Sequence, residues 1–176
     1  MHEQSSGIEL AGQAMEEGEA SFEAFFAAER DRVFRALLLL TGSKHEAEDI
    51  TQGAFLKMLE RWDRLGHVPE LQGYLFRTAL NGYRSLYRRS RLAAKRVLTR
   101  SEMGTDPFEL VAERESAVRL LLGLTERQRE AIVLTGIEGF DYRQAGELLG
   151  VKESTVRSLV AQARARLAME TEASDE

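Results

Sequence analysis

Residues 141–168 constrain the fold of this chain more than any other stretch, because their pattern is typical of two helices joined by a tight turn. Asp141 is a candidate N-cap, and Gln144 three residues later completes a capping box. Gly150 supplies the positive φ that ends the first helix, four residues after the small Gly146. These features together are typical of two helices that cross steeply after a short turn.

The second helix of this pair has one apolar and one polar face. Its apolar residues recur three or four positions apart and predict a face packed inward: Val156, Leu159, Val160, Ala163 and Leu167. The opposite face carries Ser154, Thr155, Arg157, Ser158, Ala161 and Gln162. This pattern predicts a helix-turn-helix whose second helix enters a DNA major groove. The alternative on these residues alone is an antiparallel helix pair with a solvated polar face.

The composition excludes several functional classes. A chain of 176 residues can hold one ordinary domain or two small helical ones. It has no cysteine, its three histidines are scattered, and it contains no phosphate-binding loop or dinucleotide glycine fingerprint. We therefore expect no catalytic residue, no metal and no cofactor, and hence not an enzyme. The apolar run at Leu37–Leu40 is too short to span a bilayer and the N-terminus is acidic, so we expect no membrane insertion and a cytoplasmic location.

The charge of the chain is unevenly distributed. The net charge is −5, but nine of the 29 acidic residues lie in residues 1–20 and 170–176, so the intervening body is positive. From Arg77 to Arg100 there are basic residues and no acidic one. Such a segment attracts phosphate and indicates nucleic-acid binding, although a solvated helix face is the alternative.

The rest of the chain is predicted to be helical as well. Residues 1–20 are expected to be a disordered acidic tail. Helical apolar periodicity then predicts three helices that form a bundle over residues 21–91, with Ser21 as the first cap. The second of these helices is predicted to run to Leu65. A polar, proline-containing stretch at residues 92–113 is expected to be a flexible linker.

The C-terminal block resembles a known DNA-binding domain. Between Leu120 and Leu167 the chain is similar to region four, the promoter-binding domain of sigma-70 family factors, and in particular of the small extracytoplasmic-function (ECF) group. The resemblance rests on Leu124, Arg127, Gln128, Arg129, Glu138, Gly139, Tyr142, Leu149, Gly150, Thr155, Val156, Arg157 and Ser158. It implies that Ser154, Arg157 and Ser158 read base edges and that Arg143, Lys152 and Arg164 contact phosphates of the −35 element.

This block departs from the family pattern at three positions. Leu159 and Gln162 stand where the family often has arginine, and Lys152 stands at the usual serine N-cap. Leu159 and Gln162, together with Gly53 earlier in the chain, allow a second interpretation, a degenerate sigma-like module that binds a partner protein without starting transcription.

A second motif lies in the predicted middle helix of the bundle. Asp49, Gln52 and Leu56 are spaced three and four apart, which suits a docking patch, although solvated surface is the commoner explanation. The segment AEDITQGAF resembles a signature of sigma region two, whose helix docks on the clamp helices of the RNA polymerase β′ subunit. The resemblance implies that Asp49, Gln52, Leu56 and Glu60 contact core polymerase, with Gly53 replacing the usual glutamate.

The third helix of the bundle carries residues suited to an opened DNA strand. Unstacked bases need aromatic faces to stack on, and a single strand needs cations along its backbone. The segment YLFRTALN resembles the strand-opening part of region two, with Tyr74 in place of the usual tryptophan. Five residues beside the loop at 67–72 are therefore expected to contact the −10 element: Tyr74, Arg77, Asn81, Arg84 and Arg88.

Together these observations predict an all-α fold with two small helical domains. The domains are a three-helix sigma region two at residues 21–91 and a helix-turn-helix region four at residues 114–169. The resemblance implies three partners: core RNA polymerase, promoter DNA and an anti-sigma factor. The first alternative is a free-standing helix-turn-helix transcription regulator, which leaves Asp49 and Gln52 without a role.

Overall fold

The protein is built from eight α-helices and one π-helical turn over the residues that the structure, a computed structural model, describes. These are residues 5–65, 70–96 and 112–174, with side chains for 22–65, 70–89 and 116–170. The helices are α1 (Ser5–Thr41), α2 (Lys44–Leu59), α3 (Trp62–Leu65), α4 (Leu71–Arg96), α5 (Ala112–Leu122), α6 (Glu126–Ile132), α7 (Tyr142–Leu149) and α8 (Glu153–Ser174). The π-helical turn, Val133–Ile137, directly follows α6. The all-α prediction is confirmed, and none of the described helices has the length and apolarity that a bilayer span requires.

Helices α1, α2 and α4 form the first domain. Their buried side chains face one another at helical spacing: Val33, Leu37, Leu40, Ala47, Ala54, Phe55, Met58, Leu75, Phe76, Ala79, Leu80 and Tyr83. Aromatic rings close one end of this core, where Phe22 meets Trp62 edge to face at 5.0 Å between ring centroids. Gly42, with φ of 71°, ends α1, and the Ser43 hydroxyl accepts the Glu46 N–H at the start of α2.

Three boundaries in this domain differ from those expected. Helix α1 begins at Ser5 rather than Ser21, so the backbone of residues 5–20, expected to lack regular structure, is helical. The alanines and glutamates there are good helix formers that extend a helix already held by packing. Helix α2 ends at Leu59, because the Arg61 N–H turns back to the Met58 carbonyl and redirects the chain into α3.

The third difference concerns α4, which runs from Leu71 to Arg96 instead of residues 73–91. Most of the predicted linker, and His67 of the loop predicted at residues 67–72, lie outside the described residues. The flexibility of the linker therefore stays a prediction.

Helices α5 to α8 form the second domain, and the cap predicted for α7 is confirmed. Thr125 and Gln128 form a capping box at α6, and Asp141 and Gln144 form another at α7. Gly150 ends α7 with φ of 68°. A Cβ on Gly146 would lie 2.8 Å from the Val151 carbonyl oxygen, so the predicted small residue is required for the chain to turn so closely.

The two domains pack directly against each other. Phe76 of α4 and Phe140, which precedes α7, meet edge to face at 5.0 Å. The Arg129 guanidinium reaches out of α6 and donates to the Leu40 carbonyl at the end of α1 at 2.7 Å. The sequence left open whether the domains are apart or together, and the structure shows them in contact.

Candidate nucleic-acid and polymerase interfaces

The predicted duplex-reading residues lie on an exposed surface of the second domain. Arg143 and Lys152 line one shallow depression, and Ser154, Arg157 and Ser158 line a neighbouring one. Helix α8 presents this surface because Val156, Val160 and Ala163 on its other face are buried: their exposures are 0%, 2% and 0%. Arg164 is also exposed and follows Arg157 by seven residues, which places it two turns along the same face.

The arginines of this surface are held by neighbouring carboxylates. Arg157 donates to Glu153 at 2.6 Å, and its guanidinium lies 5.4 Å from the centre of the Tyr142 ring. Arg143 donates to Glu147 at 2.7 Å. These are exposed pairs between residues four apart, so they position the cations without binding them strongly.

Two departures from the family pattern have structural roles. Leu159 is partly buried against the core of the second domain. The Gln162 side-chain oxygen accepts a hydrogen bond from Gln128 at 3.2 Å, which joins α8 to α6. Both residues therefore support the helix that carries the polar surface.

The predicted strand-binding residues of α4 are separated into two environments. Tyr74 and Arg77 line a cleft of about 510 Å³ whose opposite wall is formed by Phe140, Gln144 and Glu147 of the second domain. The Tyr74 hydroxyl accepts a hydrogen bond from Arg61 at 3.0 Å.

Asn81 and Arg88 are exposed, whereas Arg84 is withdrawn into the domain interface. Arg84 donates through Nε and Nη2 to the two carboxylate oxygens of Glu130, at 2.7 and 3.1 Å. Arg84 thus lies on the same face of α4 as Arg77, Asn81 and Arg88, but its guanidinium is paired with Glu130 rather than exposed.

Sequence reasoning missed the charged residues of the domain interface. Glu130 is fully buried, with Arg84 on one side and Arg127 at 3.7 Å. Arg32 donates through Nε to Glu138 at 2.6 Å and through Nη2 to the Glu138 backbone carbonyl. A signal for Glu130 exists, because Val133 and Leu134, three and four residues later, belong to a buried face.

The environment of the interface shifts the pKa values of its ionisable groups. Burial raises the pKa of Glu138, although the hydrogen bond from Arg32 acts in the opposite direction. Burial, and then the charge of Glu130, raise the pKa of Glu126. The hydrogen bond to Glu130 raises the pKa of Arg84, so this arginine is firmly cationic.

The predicted polymerase-docking residues form an exposed stripe on α2. Asp49, Gln52, Leu56 and Glu60 are all exposed, and Leu56 keeps 58% of its surface accessible. Leu59, which the sequence did not single out, is 52% exposed beside them. A stripe that combines acidic, amide and aliphatic groups suits a protein partner better than it suits DNA.

Comparison with known proteins identifies both domains. Residues 25–92 match the family model for sigma-70 region 2, and residues 114–167 match the model for sigma-70 region 4. The chain is 30% identical over 134 residues to the ECF RNA polymerase sigma factor EcfG of Rhodopseudomonas palustris, an alignment that covers 73% of this chain and 72% of that protein. It is 28% identical over 155 residues to the ECF sigma factor SigE of Mycolicibacterium smegmatis, covering 84% of this chain and 60% of that longer protein.

A solved structure agrees with these relatives. The sigma factor RpoE of Bartonella quintana, determined in complex with the anti-sigma factor NepR, superimposes with a TM-score of 0.69 at 26% identity, covering 84% of this chain and 94% of that one. Because the chain matches both sigma-70 region 2 and region 4, the alternative of a free-standing helix-turn-helix regulator is not favoured. The chain belongs to the extracytoplasmic-function group of sigma-70 family RNA polymerase sigma factors.

Proposed function

We propose that this sigma factor divides promoter recognition among three surfaces. The stripe on α2 docks on core RNA polymerase, α4 captures the opened −10 strand, and α8 reads the −35 duplex. The observation that carries this proposal is the exposed recognition face of α8, held outward by a fully buried opposite face. Transcription by core polymerase with this chain, on DNA selected by the reconstituted holoenzyme, tests the whole scheme.

The chemistry of α8 supports binding to intact duplex. Arg157 presents the planar donor pattern that recognises guanine, and Ser154 and Ser158 can donate or accept at base edges. Arg143, Lys152 and Arg164 surround these residues with positive charge suited to phosphates.

The chemistry of α4 supports binding to a single strand. Tyr74 offers a ring for a base to stack on, and Arg77 and Arg88 are exposed cations on the same helix. Stacking contributes about 1–3 kcal/mol per base, so a few captured bases offset the opening of a short duplex segment.

A chain that docks on core polymerase needs no catalytic group of its own. We infer that it is a specificity subunit, that RNA synthesis belongs to the core enzyme, and that it acts in the cytoplasm beside both partners. We also infer an anti-sigma partner, because the structural neighbour RpoE was determined in complex with one.

The docking role of α2 is tested by removing its polar groups. Asp49→Ala with Gln52→Ala should lower the affinity for core polymerase by about tenfold or more, because two exposed partners of the interface are lost. Fluorescence anisotropy of labelled chain titrated with core measures this affinity. Glu23→Ala, an exposed acidic residue of α1 outside the stripe, is the control. Undiminished affinity of the double variant would reject the assignment.

The strand-binding role of α4 is tested through salt dependence. Each lost phosphate contact lowers the slope of log affinity against log salt by about one. Arg77→Ala with Arg88→Ala should therefore flatten the slope for holoenzyme on fork-junction DNA, as measured by filter binding at several salt concentrations. Arg64→Ala, an exposed arginine outside α4, should leave the slope as it is. An unchanged slope in the double variant would mean that Arg77 and Arg88 do not contact DNA phosphates and would reject the strand-binding role of α4.

A further inference from the structure

Glu153 places a carboxylate in the middle of the surface proposed to read duplex DNA. It is the first residue of α8 and lines both depressions of that surface, the one with Arg143 and Lys152 and the one with Ser154 and Arg157. The first turn of a recognition helix is the part that meets base edges in the major groove. A negative charge there repels DNA phosphates, so it lowers the affinity for DNA unless it has a partner on the bases.

We propose that Glu153 is a specificity-determining residue that acts with Arg157 as one unit and reads a single G·C base pair of the −35 element. Arg157 donates to the guanine, and Glu153 accepts from the cytosine paired with it. This assignment rests on the proposed function, because it takes α8 as the helix that lies in the duplex.

The Glu153 side chain holds the Arg157 guanidinium in place. Arg157 Nη2 donates to Glu153 Oε1 at 2.6 Å, and the guanidinium carbon lies 5.4 Å from the centre of the Tyr142 ring. A carboxylate and a ring on the same guanidinium restrict the rotation of a long side chain that is 65% exposed. Arg157 therefore has less conformational freedom to lose when it meets a base, which favours binding in that orientation.

The donors and acceptors of this pair match the edge of one G·C base pair. In the major groove the guanine presents two acceptors, N7 and O6, and the N4 amino group of the cytosine beside them presents a donor. Arg157 offers donors, and the carboxylate bound to it offers only acceptors. The hydrogen bond from Arg157 reaches Oε1, so Glu153 Oε2 is the acceptor that a cytosine amino group can use. Each donor of the base pair thus has an acceptor opposite it, and the reverse.

The same carboxylate disfavours the other base pairs. An A·T pair places the thymine O4, which is an acceptor, where the cytosine amino group would be. Two acceptors then face each other, and the Glu153 charge has no partner on the bases. A reversed C·G pair likewise puts the guanine acceptors opposite the carboxylate. Repulsion of this kind raises specificity by weakening the wrong sequences.

A second pair on the same surface provides a matched control. Arg143 donates to Glu147 at 2.7 Å across the same spacing of four residues, and the side-chain exposures are 62% and 49%, against 65% and 48% for Arg157 and Glu153. Arg143 lies on α7 and is proposed to contact phosphate, which carries no sequence information. Loss of Glu147 therefore removes the same charge without touching the proposed base contact.

The experiment measures base-pair preference with the reconstituted holoenzyme. The probes are a fluorescein-labelled promoter duplex selected by the parent holoenzyme, and duplexes in which each G·C pair of its −35 element is replaced in turn by A·T. Competition binding at one fixed salt concentration gives the affinity ratio for each position. The chains compared are the parent, Glu153→Ala, Glu147→Ala and Arg157→Ala, and circular dichroism checks that each is folded.

Glu153→Ala should lower the preference for G·C by about fivefold or more at one position, because a good pair of base contacts discriminates by at least that factor. The position should be the one at which Arg157→Ala also loses preference, since both side chains read the same base pair. Glu147→Ala should leave every affinity ratio at the parent value. Glu153→Ser, which also lacks the carboxylate, carries the test if Glu153→Ala does not fold.

Two results would overturn the assignment of Glu153 while leaving the proposed function intact. One is that Glu153→Ala changes the affinity ratios no more than Glu147→Ala does, which would make Glu153 a charge without a part in base reading. The other is a loss of preference at a position that Arg157→Ala does not affect, which would separate the two residues. If Arg157→Ala leaves every ratio unchanged, Arg157 does not read a base, and the −35 function proposed for α8 falls with the assignment of Glu153.

Discussion

Arg129 and Glu130 are neighbouring buried charges that serve different contacts. Within the described part of the chain, Arg129 donates no hydrogen bond to a carboxylate. It donates instead to the backbone carbonyls of Leu40, Leu121, Leu122 and Leu124. These carbonyls lie at or just beyond the C-terminal ends of α1 and α5, where helices leave acceptors unpaired and carry partial negative charge. Glu130 instead faces the cations Arg84 and Arg127. Both charges are thus compensated, as burial requires.

Two glycines provide a matched test at the residue scale. Gly146→Ala should lower the free energy of unfolding by about 1–3 kcal/mol, because the added methyl would lie 2.8 Å from the Val151 carbonyl oxygen. Gly53→Ala, in the middle of α2, should raise it by up to about 1 kcal/mol, because no atom lies within 4 Å of the added methyl and alanine favours helix. Urea unfolding followed by circular dichroism measures both. Equal effects of the two substitutions would contradict this explanation.

At the scale of elements, the short helices of the second domain depend on their caps. Helices α6 and α7 span Glu126–Ile132 and Tyr142–Leu149, too short to be stable by propensity alone. Each begins with a capping box, and the π-helical turn between them ends where the Glu138 N–H reaches the Val133 carbonyl at 3.0 Å. The turn places Glu138 opposite Arg32 and Phe140 against Phe76.

The cap of α7 can be tested separately. Asp141→Ala should destabilise the protein by about 1 kcal/mol, because the carboxylate accepts the Gln144 N–H at 2.7 Å and alanine cannot. Asp141→Asn retains an acceptor and should lose much less. Thermal and urea unfolding of the three chains would show the difference. If the alanine variant is as stable as the parent chain, the capping box does not stabilise α7.

At the scale of the whole molecule, the domains are joined by charged contacts around an aromatic pair. Arg84 with Glu130 and Arg32 with Glu138 flank the contact of Phe76 with Phe140. Buried ion pairs contribute more to the choice of one arrangement than to net stability, since desolvation offsets much of their attraction.

The burial of Glu138 makes the stability of this interface depend on pH. Burial raises the pKa of Glu138 in the folded protein against the hydrogen bond from Arg32, and Arg35 and Glu29 also face it. A carboxyl with a raised pKa binds its proton more tightly in the folded than in the unfolded chain, so its contribution to stability is present at low pH and is lost as pH rises through the raised pKa. The free energy of unfolding in urea, compared between the parent chain and Glu138→Gln at several pH values, should therefore shift in favour of the parent chain as the pH falls. A shift in the opposite direction would contradict this explanation.

Several features were predictable from sequence because they depend on nearby residues. The caps at Thr125 and Asp141, the left-handed Gly150 and the buried stripe of α8 follow from side chains within a few positions of one another. The break after Leu59 did not follow, since a backbone turn between Arg61 and Met58 decided it. The inward-facing position predicted for Leu159 is confirmed by its partial burial against the core.

The sequence by itself determined the local pattern of this protein: helices, caps, the tight turn between α7 and α8, and a polar face on each functional helix. Only the tertiary structure decided which charges meet across the domains. Arg84 and Glu130 are 46 positions apart, and Arg32 and Glu138 are 106 apart. Local periodicity has no information on such pairs, because their energy arises only when distant parts of the chain exclude water from the same place.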